Sequence, residues 1–123
     1  MPHTILIVED NKNNCTLLKD ILVYHGYDIA VASDGNEGVA MARKLMPDLI
    51  LMDIQMPGMD GMTASAVLKG DPATSRLKII ALTSFAMQGD QEKFLAAGFN
   101  GYLSKPVNTR ELPALIDRWI QGD

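Results

Sequence analysis

Two acidic positions carry most of the chemistry this sequence can offer. Asp53 ends the apolar run Leu49-Ile50-Leu51-Met52 and leads into Ile54-Gln55-Met56-Pro57-Gly58. Glu9-Asp10 stands in the same place after Thr4-Ile5-Leu6-Ile7-Val8. Apolar runs of this kind read as strands buried on both faces. A charge at the carboxyl end of such a strand lies where an open α/β sheet forms its ligand site. Three carboxylates at neighbouring strand ends repel one another, and a hard divalent cation removes that repulsion. Oxygen-only donors favour Mg2+, which keeps several waters and needs only one or two direct carboxylates. Asp10 and Asp53 are therefore assigned as direct ligands and Glu9 as a contact through water. The backbone carbonyl of Gln55 supplies a further oxygen.

Two further strand ends complete the pocket. One is Thr83, within Ala81-Leu82-Thr83-Ser84, and the other is Lys105, within Ser104-Lys105-Pro106. Carboxylate, cation, ammonium and hydroxyl together make a cradle for a phosphoryl group, whose transfer depends mainly on positioning and charge neutralisation. Asp53 is the best nucleophile because it leads directly into an exposed loop, and aspartyl phosphate is a known covalent form of carboxylate nucleophiles.

The elements that must hold these residues follow from periodicity. Strands are predicted at Ile5–Val8, Asp28–Ala32, Asp48–Met52, Lys78–Leu82 and Gly101–Leu103. Helical spacing fills the intervals. In the first helix Leu17, Leu18, Ile21 and Leu22 are expected on one buried face. Gly26 reads as its C′ glycine, with Tyr27 packing back on Leu22, and Gly98 with Phe99 repeats the device against Phe94. Asp60 reads as a helix N-cap. In the last helix Leu112, Leu115, Ile116 and Trp119 share a side. Asn108 and Glu111 resemble a capping box, but Pro113 predicts an irregular first turn. Five βα units predict a parallel sheet with helices on both faces, in the flavodoxin-like order 2-1-3-4-5. Its switch point falls between the strands that end in Glu9-Asp10 and Asp53.

Bulk properties narrow the rest. The 123 residues, 47% hydrophobic and 21% charged, suit a single domain over 1–123. The net charge of −4 argues against a nucleic-acid partner. The single cysteine, Cys15, fits a reducing compartment and reads as a small residue on the first helix. Neither a signal peptide nor a membrane span is expected, which points to the cytoplasm. The chain ends soon after the fifth helix, so no output domain is expected within it. His3 and His25 read as surface residues without acidic partners, and the eight methionines mostly as core filler.

These stretches, in this order, resemble a response-regulator receiver domain of the CheY-like superfamily. The resemblance rests on Ile5-Leu6-Ile7-Val8-Glu9-Asp10-Asn11, Pro47 to Asp53, Met56-Pro57-Gly58-Met59-Asp60-Gly61, Ala81-Leu82-Thr83 and Lys105-Pro106. It implies phosphorylation of Asp53 by a histidine kinase or histidine phosphotransfer protein, with Mg2+ held by Asp10 and Asp53. It implies that Lys105 contacts the phosphoryl group and that Thr83 moves towards it while Tyr102 turns inward as an aromatic switch. It also implies a cis Lys105–Pro106 bond and a signal that leaves through the face of helix 4, strand 5 and helix 5. Glu9 departs from the commoner aspartate, and Ser84 from the frequent alanine. Ser84, Phe85 and Gln55 flank the pocket, where they can set the phosphoryl lifetime. Asn11, Asn14, Phe85-Ala86-Met87 and Gly89-Asp90 are most similar to stand-alone receivers of the DivK cell-cycle type and to receivers of hybrid histidine kinases.

The leading reading is thus a phosphorylation-dependent binding module rather than an enzyme acting on a separate substrate. One alternative is a receiver segment of a hybrid kinase. A Mg2+-dependent aspartate-nucleophile phosphatase would need a second aspartate two residues after the nucleophile, where this chain has Gln55. A flavodoxin-like FMN binder would need a Ser/Thr/Gly-rich phosphate loop after the first strand, where this chain has Glu9-Asp10-Asn11.

Overall fold

The computed structural model describes residues 3–56, 58–84 and 90–122. Strands β1 (Thr4–Val8), β2 (Asp28–Ala32), β3 (Leu49–Asp53), β4 (Ile79–Thr83) and β5 (Gly101–Ser104) alternate with helices α1 (Lys12–Tyr24), α2 (Gly35–Leu45), α3 (Gly61–Lys69), α4 (Asp90–Ala96) and α5 (Leu112–Ile120). All strand pairs are parallel, in the expected order β2-β1-β3-β4-β5. β3 and β4 each lie one residue later than predicted. The ladder continues because Asp53 pairs with Leu82, and the Ile54 N–H donates to the Leu82 carbonyl at 3.0 Å. Asp53 and Thr83 are therefore the last residues of their strands, held by the sheet itself.

Strand alternation sorts the core into two layers. Ile5, Ile7, Leu49, Leu51, Ile80 and Leu82 pack with Cys15, Leu18 and Leu22 of α1 and Leu112 and Ile116 of α5. Leu6, Val8, Ile50, Met52, Ile79 and Ala81 pack on the other face with α2, α3 and Phe94 of α4. Both sides of β3 and β4 are buried, which is why their sequences show no polar alternation.

The helix ends follow local chemistry. At the end of α1 the Gly26 N–H donates to Val23 O at 3.0 Å and the Tyr27 N–H to Leu22 O at 3.1 Å, with Gly26 at φ 92°. Gly98 and Phe99 make the same pair of bonds to Leu95 and Phe94, each at 3.1 Å, with Gly98 at φ 100°. Only glycine takes this left-handed position without cost. Asp60 caps α3 by accepting from the Thr63 N–H at 2.8 Å. Asn108 accepts from the Arg110 and Glu111 N–H groups at 3.0 and 3.3 Å, in a turn ahead of α5. The helix proper begins only at Leu112, around Pro113, so the first turn is irregular as the proline requires.

Two sequence expectations need correction. Leu17 is 50% exposed. The buried stripe of α1 runs through Cys15, Leu18 and Leu22, which turns Leu17 outward. His3 has an acidic partner, with Nδ1 3.4 Å from Asp48 Oδ2. At the foot of the sheet, Lys69 Nζ donates to the Leu77 carbonyl at 2.7 Å and to Asn100 Oδ1 at 3.2 Å. Lys78 Nζ donates to the Trp119 carbonyl and, at 3.1 Å, to that of Ile120. These two lysines fasten the ends of α3 and α5 to the strands.

Ser65, fully buried on α3, has a hydroxyl with no hydrogen-bond partner among the described residues. A buried unpaired hydroxyl costs stability, and alanine is the better helix former. Ser65→Ala is expected to raise stability by about 1 kcal/mol, read as a higher urea midpoint at unchanged m. A lower midpoint would show that the hydroxyl is bonded.

Candidate functional site

Glu9 follows Ile5 and Ile7 in the alternation of β1, and Asp53 follows Leu49 and Leu51 in that of β3. Both are thereby directed to the α1–α5 side of the sheet, at the ends of adjacent strands. They are almost fully buried, while Asp10 is exposed. One oxygen from each of Glu9, Asp10 and Asp53 lies within 4.8 Å of the other two.

Each buried carboxylate is oriented by the backbone amide two residues on. The Asn11 N–H donates to Glu9 Oε1 at 3.1 Å, and the Gln55 N–H donates to Asp53 Oδ1 at 3.0 Å. The second oxygens face Lys105, whose Nζ lies 2.9 Å from Glu9 Oε2 and 3.1 Å from Asp53 Oδ2. The contact to Glu9 Oε2 is one of charge, without hydrogen-bond alignment. Lys105 reaches this point from the end of β5, where its N–H donates to the Thr83 carbonyl at 2.7 Å and its bond to Pro106 is cis, as the resemblance implied.

The Glu9 carboxyl is pushed up to about 7, by burial first and then by neighbouring Asp53, against the pull of Lys105 and the Asn11 amide. Burial alone would lower the Lys105 ammonium, but the carboxylates of Glu9 and Asp53 beside it outweigh this and raise it. A buried acid beside a second acid is a crowding of negative charge that a cation would relieve.

Thr83 is also buried and pairs with Ser104 on β5. The alternation of β4 puts it on the side of Ile79 and Ala81, opposite to Asp53. Tyr102 pairs with Ala81 and so shares that side. Its half-buried ring lies 5.9 Å, centroid to centroid, from Phe94 of α4. Gln55 and Ser84 line the cleft as the sequence suggested. Phe85, also expected there, falls outside the described residues.

Asn14 was not singled out as a site residue. It lines both the acidic cleft and an adjoining groove formed by Leu17, Leu18, Pro106 and Val107. The available signal was its helical spacing, since it lies one turn beyond Asp10 on α1. Among the described residues no helix is long and apolar enough to cross a membrane.

Comparison with known proteins agrees with this geometry. Residues 5–117 match the response regulator receiver domain. The chain is 41% identical over 123 residues to the polar-differentiation response regulator DivK of Brucella anthropi, covering 100% of this chain and 99% of that protein. The receiver domain of a sensor histidine kinase from Pseudomonas aeruginosa PAO1, solved with magnesium coordinated in its active site cleft, superposes with a TM-score of 0.90 at 39% identity, covering 99% of this chain and 100% of that one. The receiver domain of Ssk1 from Saccharomyces cerevisiae, solved with the histidine phosphotransfer protein Ypd1, gives a TM-score of 0.86 at 32% identity, covering 96% of this chain and 88% of that one. With that match spanning the sheet and every strand end of the site, the chain belongs to the response regulator receiver domain family of two-component and phosphorelay signalling.

Proposed function

We propose that Asp53 is the phosphoacceptor of this receiver, loaded from a phosphohistidine in a Mg2+-dependent reaction and read by a partner protein. The observation that carries this reading is the Asp53 carboxylate. It is buried, is fixed by the Gln55 amide at one oxygen, and faces the Lys105 ammonium 3.1 Å away with the other. In the transfer, one Asp53 oxygen bonds to phosphorus as the bond from phosphorus to the donor imidazole nitrogen breaks. The imidazole leaves with the electron pair, and Asp53 becomes an aspartyl phosphate. Lys105 stays protonated and offsets charge on the phosphoryl oxygens.

The donor set fits magnesium. Glu9, Asp10 and Asp53 offer oxygen alone, clustered within 4.8 Å, and the Gln55 carbonyl adds a neutral oxygen. Bound there, the ion supplies positive charge against the carboxylates and the incoming phosphoryl group.

Thr83 supplies a hydroxyl to the phosphoryl group, and Tyr102, on the same side of β4 and β5, turns as Thr83 moves. The signal leaves through the face of α4, β5 and α5, where Leu95 is half exposed and Phe94 contacts Tyr102. The donor is a histidine kinase or a histidine phosphotransfer protein. The chain works as one receiver domain over 1–123 in the cytoplasm, without nucleic acid or membrane as partner. It catalyses only its own phosphorylation and dephosphorylation.

Incubation with acetyl phosphate and Mg2+ is expected to add one phosphoryl group by intact mass, and excess EDTA to abolish the gain. Equal labelling in EDTA overturns the metal-dependent reading.

A further inference from the structure

We propose that Gly35, the first residue of α2, is a positioning residue for the acidic cleft: it backs the β3–α3 loop at Met59 and so fixes where that loop holds Asp53 and the Gln55 carbonyl. The inference rests on the reading of Asp53 as a Mg2+-dependent phosphoacceptor and deepens it.

The loop between β3 and α3 is pinned by backbone bonds at its two ends. It leaves β3 with the Ile54 N–H on the Leu82 carbonyl at 3.0 Å, and it enters α3 with the Gly61 N–H on the Ile54 carbonyl at 3.1 Å. Gln55 lies between them at the cleft, with its N–H on Asp53 Oδ1 at 3.0 Å. The far side of the loop meets α2. A Cβ at the buried Gly35 would lie 2.3 Å from the Met59 carbonyl oxygen, 3.0 Å from Met59 Cβ and 3.1 Å from the Met59 carbonyl carbon. The backbones of helix start and loop are thus in direct contact, with no side chain between them to give way.

Gly35 is itself held. Asp34 caps α2 by accepting from the Glu37 N–H at 2.8 Å, and Glu37 Oε1 accepts from the Ser33 N–H at 3.1 Å. Just before this turn the Ala32 carbonyl accepts from the Glu9 N–H at 3.1 Å. One short segment, residues 32–35, therefore touches the backbone of both halves of the donor set, Glu9 at the end of β1 and the loop that follows Asp53. Its span sets their separation. A cation that demands near-ideal octahedral geometry is sensitive to that separation.

The test uses the full chain labelled with nitrogen-15. In the metal-free protein, exchange of the Gln55 amide with water is measured against that of the β4 amides. Mg2+ alone is then titrated in, and its Kd is read from the shifts of the cleft amides. Gly35→Ala is expected to speed Gln55 exchange more than that of β4 and to raise the Mg2+ Kd roughly tenfold, the lower end of what loss of an outer support costs a metal site. Asp34→Ala loosens the same turn without adding an atom, and should move both readouts the same way to a smaller degree. Gly38→Ala is the control. Its Cβ would lie 2.8 Å from a Val8 methyl, so it strains the same helix against β1 instead of the loop. It should cost stability yet leave the relative Gln55 exchange and the Mg2+ Kd as in the wild type. Unchanged relative exchange in Gly35→Ala and Asp34→Ala overturns the proposal, as does faster exchange at unchanged Mg2+ affinity, or an equal loss of affinity in Gly38→Ala. If Gly35→Ala does not fold, Asp34→Ala decides. Failure of the phosphoacceptor reading appears separately, as a wild type that binds no Mg2+ or as labelling that survives Asp53→Asn, and leaves the metal-free exchange result intact.

Discussion

Asp53→Asn is expected to abolish phosphoryl incorporation while leaving the fold intact. Asparagine keeps the shape of the side chain and a carbonyl oxygen to accept the Gln55 N–H bond, now made to Asp53 Oδ1 at 3.0 Å. What it loses is the anionic oxygen beside Lys105, and a neutral amide is a poor nucleophile towards phosphorus. The neighbouring acids cannot take over. Glu9 is buried, with one oxygen held by the Asn11 amide and the other against Lys105. Asp10 is exposed, and the Lys105 ammonium is held by Glu9 and Asp53 instead. Removing one charge from a crowded acid cluster should leave the metal-free melting temperature unchanged or higher. The measurement is intact mass after acetyl phosphate and Mg2+, paired with a thermal melt. A variant that still gains a phosphoryl group would remove Asp53 from its role.

Gly61→Ala is expected to be the most damaging small substitution near the site. A Cβ at Gly61 would lie 2.2 Å from the Asp53 carbonyl oxygen and 2.9 Å from both the Asp53 carbonyl carbon and the Ile54 Cα. All three atoms are backbone, so no side chain can turn away to make room. The Gly61 N–H also donates to the Ile54 carbonyl at 3.1 Å, which ties the start of α3 to the loop after β3. Admitting a methyl group must push the helix off the strand end or shift the residue that carries the chemistry. Overpacking of this severity costs roughly 3 kcal/mol, equivalent to a melting temperature lower by about 10 °C. Phosphoryl labelling should slow in the fraction that remains folded, because Asp53 itself is displaced. A melting temperature within a few degrees of wild type would show that the strand and helix can separate cheaply.

Much of this arrangement was legible in the sequence because it depends on local rules. Apolar runs ending in acids marked the strands and the ends that carry the site. Gly26-Tyr27 and Gly98-Phe99 announced helix ends, since a glycine before a hydrophobic residue after a helical period suits one geometry best. Asp60 announced a helix start in the same way. The misses are of two kinds. Leu17 was placed by hydrophobicity, but the phase of α1 is set by Leu18 and Leu22 against the sheet, and a difference of one residue turns a side chain by about 100°. The other misses are contacts between distant parts of the chain. His3 meets Asp48, Lys69 meets Asn100, and Lys105 meets Glu9. Each depends on strand register and helix length together, which no local pattern encodes.

The two-layer core also has a consequence for how such a chain can change. Glu9 and Asp53 fall on the layer with α1 and α5, while Thr83 and Tyr102 fall on the layer with α2, α3 and α4. Below the strand ends the sheet keeps the cores beneath these two sets apart, and only at the carboxyl ends of the strands do the two sets come together. Substitutions that tune the acids and substitutions that tune the reading face therefore pack into separate cores. Each can vary without repacking the other, which leaves partner choice free to diverge while the chemistry stays put.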